Sequence, residues 1–157
     1  MLATHTIQPA TPRRRRPQPP PDPEPTHLDA AGAVPLTLPL AFEAFRDLHY
    51  DCYLGYARLH LPGDDAAEAV ARTLGHLVIH WPYVISRRSP AAYAWDRLVD
   101  HTRSRHHPLD LNTDSTTQYD AVVLHHGLGC SVPTVAATTG LHPAKAAYLL
   151  RVWQPST

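Results

Sequence analysis

The chain has 157 residues, 14 Lys or Arg against 14 Asp or Glu, and 43% hydrophobic residues. No run of about 18 apolar residues occurs, which excludes a membrane-spanning helix, and two cysteines are too few for a disulfide scaffold. A neutral balance excludes a protein that holds nucleic acid by overall charge alone, because phosphate contacts need a basic face.

The prolines separate a tail from the rest. Ten of the 17 lie before Leu40, and proline removes backbone donors from a segment with few large apolar groups. Residues 1–38 are therefore expected to be a disordered Pro/Arg-rich tail. Within it Arg13 to Arg16 form a basic run, read as a solvated charge run on a flexible arm, with contact to an acidic surface or nucleic acid as the sharper alternative. No apolar stretch follows these arginines, so the segment does not read as a secretory signal. The chain is expected to be cytoplasmic and away from membranes.

From Leu40 to Leu61 the residues Phe42, Phe45, His49, Cys52, Tyr53, Tyr56 and Leu59 recur at steps of three and four, one stripe of a helix. Pro62-Gly63 stops it. Asp64 or Asp65 can cap a second helix whose stripe is Ala66, Ala69, Val70, Thr73, Leu74, Leu77, Val78 and Trp81, ended by Pro82. Ser89-Pro90 is a start signal for a third helix carrying Ala92, Trp95, Leu98, Val99 and Thr102. Three helices with one apolar face each suffice for a small bundle, residues 39–107.

Residues 108–116 lack periodicity and read as a linker. A further helix follows with Tyr119, Val122, Val123 and His126 on one face, broken by Gly127 and Gly129. The last stretch, SVPTVAATTGLHPAKAAYLLR, reads as two short helices hinged at Gly140, with Ser131 as the first cap. Two helices that cross over so short a turn need a small residue at the contact, and Ala136 stands four residues before Gly140. Val135, Leu141, Ala146 and Leu149 or Leu150 then fill a small core. His142, Lys145, Tyr148 and Arg151 point outward, the face that enters the major groove in a helix-turn-helix. Residues 117–154 are thus a candidate DNA-binding domain; an ordinary helical hairpin is the plainer alternative.

Cys52 and Cys130 are far apart in apolar contexts and read as reduced residues of the core, not a disulfide. His76 and His80, four apart on a helix, are half of a metal site at most, and no Cys or carboxylate completes a recognised spacing. No Gly-rich phosphate loop, nucleophile elbow or catalytic carboxylate pair is present. The expectation is a protein that is not an enzyme and takes no metal or cofactor.

The chain from Ala41 to Trp153 resembles a small two-domain RNA polymerase sigma factor of the extracytoplasmic-function (ECF) type, as a divergent member. AFEAFRDLHYDCYLGYARLHL resembles the opening helix of the N-terminal sigma domain, and DDAAEAVARTLGHLVIHW the helix that docks on the polymerase clamp. SPAAYAWDRLVDHTRSR resembles the helix that melts the promoter, and YDAVVLHHGLGCSVPTVAATTGLHPAKAAYLLR the domain that reads the distal element. The resemblance implies an all-α fold of two small domains, with core RNA polymerase and promoter DNA as partners, and it admits an inhibitory anti-sigma protein. It implies that Arg87 and Arg88 flank extruded bases and that Arg97, His101, Arg103 and Arg105 meet strand phosphates of the proximal element. His142, Lys145, Tyr148 and Arg151 would meet the distal duplex, Arg suiting guanine edges and Lys phosphate. Glu68 and Arg72 would face the polymerase, while Trp95 belongs to the core. The alternative is a degenerate sigma-like protein that binds DNA or a protein partner without melting promoters.

Overall fold

The computed structural model describes residues 37–103 and 109–155. Arg13 to Arg16, Arg105 and the expected tail up to Leu36 lie outside the described residues. Seven α-helices and one π-helical turn form, and no strand occurs among the described residues. The helices are α1 (Leu40–His60), α2 (Asp65–Ile79), α3 (Trp81–Ile85), α4 (Pro90–Arg103), α5 (Thr116–Val122), α6 (Val132–Thr139) and α7 (Pro143–Val152). The π-turn, Val123–Gly127, continues α5 directly.

The periodic stripes turn inward as their spacing requires, except that Leu59, expected on the α1 stripe, is exposed at the end of the helix. α1 buries Phe42, His49, Tyr53 and Tyr56, and α2 buries Ala66, Ala69, Val70, Thr73 and Leu77. Phe42 and Phe45 meet Trp81 edge-on, with centroids 5.3 and 5.5 Å apart, a geometry that adds to simple burial. Pro82 does not end a helix as expected. It stands in the first turn of the short α3, where its missing N–H costs nothing. The helix before it has already closed at Ile79.

Two separate cores were expected, one on each side of residues 108–116. Instead Thr37–Thr157 form one compact unit, and buried residues of α1, α2 and α4 belong to the same cluster as those of α5, α6 and α7. The segment read as a linker is pinned at several points. Leu109 N–H donates to the Tyr119 hydroxyl at 2.8 Å, and Asp114 N–H to Gln118 Oε1 at 2.8 Å. Trp153 Nε1 donates to the Asn112 carbonyl at 3.0 Å, closing the C-terminus over the same segment. Ser115 inside it is an N-cap: its Oγ accepts from Gln118 N–H at 3.1 Å, a contact worth about 1 kcal/mol.

A buried polar cluster joins α1, α4 and α5. Asp120 Oδ1 accepts from the Tyr56 hydroxyl at 2.7 Å, and Oδ2 from Trp95 Nε1 at 2.9 Å. Arg103 Nη2 pairs with Oδ1 as well. Arg103 also donates through Nε to the Tyr56 oxygen at 3.1 Å and lies over the Tyr119 ring at 4.4 Å. Burial pushes the Asp120 carboxyl up from the ordinary carboxylate range, and Arg103, Trp95 and Tyr56 pull it back.

His60 sits beside this cluster. Its Nδ1 lies 2.7 Å from the Tyr56 carbonyl, which can only accept, so Nδ1 carries the proton. Nε2 is then the acceptor for the Tyr119 hydroxyl at 2.7 Å. A second proton on this ring would face a hydroxyl already arranged to donate. Burial, then the Arg103 charge against it, hold His60 below the usual imidazole value, and burial alone does the same to His49.

Two outcomes follow for stability. Asp120→Ala leaves Arg103, Trp95 Nε1 and the Tyr56 hydroxyl without their shared acceptor and should cost about 3–5 kcal/mol, read as a lowered urea midpoint. As pH falls below about 6.5, the unfolded chain binds protons that folded His60 and His49 refuse. Stability is therefore complete above that pH and should fall below it by up to about 1.4 kcal/mol per pH unit for each histidine. Asp120, whose carboxyl burial raises, contributes in the opposite sense. Urea midpoints at pH 7.5 and 5.5 check the sign, and His60→Gln should reduce the difference while the His49 share remains.

Candidate nucleic-acid interface

The last two helices are set by their caps. Ser131 Oγ accepts from Thr134 N–H at 3.3 Å, with Pro133 in the first turn of α6. Gly140 ends α6 in the left-handed region, φ 70°, where a side chain would be strained. It is needed for space too: a Cβ there would stand 2.4 Å from the Ala92 nitrogen of α4. The glycine of the turn therefore also seats the pair on the start of α4, a role its sequence context did not suggest.

α7 then starts at Pro143, and His142 is its cap, with Nδ1 accepting from Ala144 N–H at 3.2 Å. That contact fixes the imidazole against the backbone and leaves its Nε2 as a donor at the helix entrance. Ala146 and Leu149 are buried, whereas Lys145, Tyr148 and Arg151 are exposed. Ala136 is buried on α6, and α6 packs against both α7 and α4.

Lys145, Tyr148 and Arg151 fall at steps of three and so share an arc of about 120° on α7, with His142 at its cap. Tyr148 stands between the two cations: Lys145 Nζ is 5.4 Å and Arg151 Cζ 5.8 Å from its ring centre. Among the described residues neither cation has a carboxylate partner. Such a face offers two charges for phosphate, a guanidinium fork for a guanine edge and a ring for sugar or methyl contact.

The α4 group is not gathered in the same way. Arg87 and Arg88 are exposed in the turn before α4, and Arg87 lies 5.3 Å from the Tyr83 ring centre. Arg97 is paired with Asp100 at 3.0 Å and lies over Tyr93 at 5.7 Å. His101 Nδ1 meets Thr73 Oγ1 at 2.8 Å, and that hydroxyl gives its own proton to the Ala69 carbonyl. The ring nitrogen is thus the donor, and burial, with Arg72 next, holds His101 below its usual value. Arg103 is the clear correction. Its guanidinium was expected to meet phosphates but is committed to Asp120, with the side chain only 17% exposed. Charge counting along α4 could not see a partner 17 residues away.

Glu68 and Arg72, the expected polymerase contacts, are exposed on α2 and lie 3.8 Å apart. A pair in that setting contributes at most about 1 kcal/mol and leaves both groups able to exchange partners. His76 and His80 stack at 4.4 Å. His76 Nε2 is held by the Tyr93 hydroxyl at 2.9 Å, and among the described residues no third metal-ligating group joins the two histidines. No described helix is long and apolar enough to cross a membrane.

Family models, curated proteins and solved structures were compared with the chain, and none matches it.

Replacing Lys145 and Arg151 together by alanine should leave helix content and thermal stability unchanged, because both side chains are exposed. Binding to duplex DNA should weaken, and the log–log salt slope should shrink by about one for the Lys145 phosphate contact, and by about two if Arg151 meets phosphate as well. Fluorescence anisotropy over a salt series measures this.

Proposed function

We infer that the chain acts in transcription initiation as a divergent sigma-like protein, binding core RNA polymerase and placing α7 in promoter duplex. The observation that carries this reading is the outward face of α7, where Lys145, Tyr148 and Arg151 stand uncovered next to the His142 cap. The order of helices from Ala41 to Trp153 supports it through the resemblance to ECF sigma factors. Within this reading Glu68 and Arg72 meet the polymerase. Arg87 and Arg88, in their exposed turn, meet the opened strand near the start site, with Arg97 and His101 beside them.

One observation favours a second reading, a DNA-binding or protein-binding regulator that does not melt promoters. α4 shares its core with α5 and α6, and Arg103 is spent on Asp120. A helix that must engage a single strand would have fewer cations free to do so. This reading keeps the α7 interface and removes the proximal one.

Pull-down with core RNA polymerase at low salt, followed by run-off transcription from genomic promoter fragments, separates the two. Core binding with specific transcripts is the expected result. Core binding without transcripts favours the regulator, and no core binding at all would remove the sigma reading.

A further inference from the structure

Cys52 lies in the middle of α1, and Cys130 directly precedes the cap of α6. They are 78 positions apart in the chain, yet their Sγ atoms are 3.9 Å apart. Both are free thiols and half-buried. The approach is built by the packing around them. Gly55 on α1 leaves the space that Leu128 fills, since a Cβ there would be 3.1 Å from Leu128 Cδ1. Gly127 does the same for Leu59, at 3.3 Å. Two missing side chains thus let the segment after the π-turn lie close on α1.

Cys130 is held in place within that segment. Its N–H donates to the Leu124 carbonyl at 3.0 Å, and its own carbonyl lies 2.6 Å from His125 Nδ1, which must donate. Gly129, at φ 70°, supplies the reversal just before it. A disulfide needs sulfurs about 2.05 Å apart on backbones that are already neighbours. The remaining closure of about 2 Å is within reach of side-chain rotation.

We propose that Cys52 and Cys130 are an oxidant-responsive thiol pair, forming a reversible disulfide with hydrogen peroxide that ties α1 to the base of the α6–α7 unit. The sulfur of Cys52 attacks a peroxide oxygen, the O–O bond breaks, and Cys52 becomes a sulfenic acid as the first water forms. The sulfur of Cys130 then attacks that sulfenic sulfur. The S–S bond forms, and the hydroxyl leaves with the Cys130 proton as a second water. Two thiols and one peroxide give one disulfide and two waters, two electrons passing from sulfur to oxygen. Burial, and Cys52 beside it, push the Cys130 thiol up to about 11, so its proton must leave as it attacks, and the shift slows rather than favours that step.

The test uses the full chain. After treatment with hydrogen peroxide the protein is denatured and alkylated, then its intact mass is measured. The chain has just two cysteines, so an intramolecular bond has one assignment. The expected product is a monomer about 2 Da lighter than the reduced chain, with no alkyl group added, and dithiothreitol restores two alkylation sites. The oxidised protein should melt roughly 5 to 15 °C higher than the reduced one, because the bond closes a long loop. Cys52→Ser should show no such rise. Two thiols still alkylated after peroxide, a sulfinic acid product, or a disulfide-linked dimer would each overturn the assignment.

Discussion

The carboxylate of Asp120 holds the molecule together at the point where its two halves meet. It takes Tyr56 from α1, and Trp95 and Arg103 from α4, while standing on α5. A buried carboxylate is costly to desolvate, and its contribution depends on complete partnering. Here each oxygen has a donor, and the Arg103 charge lies over the Tyr119 ring. The neighbouring chain from Leu109 N–H through Tyr119 and His60 to the Tyr56 carbonyl fixes the surroundings in one tautomeric arrangement. The apolar core could tolerate some sliding of α5 against α1 and α4. The polar cluster has one register.

That register has consequences for how the chain meets DNA. The α6–α7 pair does not hang from a tether but is seated on α4 through Gly140 and tied to α5 through Gln118, whose Nε2 donates to the Leu149 carbonyl at 3.0 Å. The face of α7 with Lys145, Tyr148 and Arg151 is therefore presented by a rigid support, which lowers the ordering cost of binding. The same seating draws Arg103 inward, so the basic end of α4 and the face of α7 are not equivalent surfaces. One is partly consumed by the fold; the other is left open.

Much of the helical architecture was legible because it rests on periodic apolar residues and local caps. The stripes of α1, α2 and α4, the Ser89-Pro90 start, the Ser131 cap and the Gly140 turn all act over a few residues, and their spacing carries the information. Pro82 was misread because proline punctuates at both ends of helices, and only the closure of α2 at Ile79 decides which. Ser115 was passed over inside a polar run where Ser, Thr and Asp are equally at home in a loop. The outward direction of Lys145 and Arg151 followed from the inward one of Ala146 and Leu149. Asp120 carried no signal: one acid on a short helix acquires its meaning from donors 17, 25 and 64 positions away. The closeness of Cys52 and Cys130 is of the same kind, since Gly55 and Gly127, each three positions from one cysteine, show their purpose only when two distant segments pack together.

Native-state hydrogen exchange tests most directly whether the two halves are one cooperative body. The slowest amides of α1, α4 and α5, and those of α6 and α7, should open with the same free energy, equal to that of global unfolding. If α6 and α7 exchanged through a separate opening of much lower free energy while α1 and α4 stayed protected, the Asp120 cluster would not be what unites them.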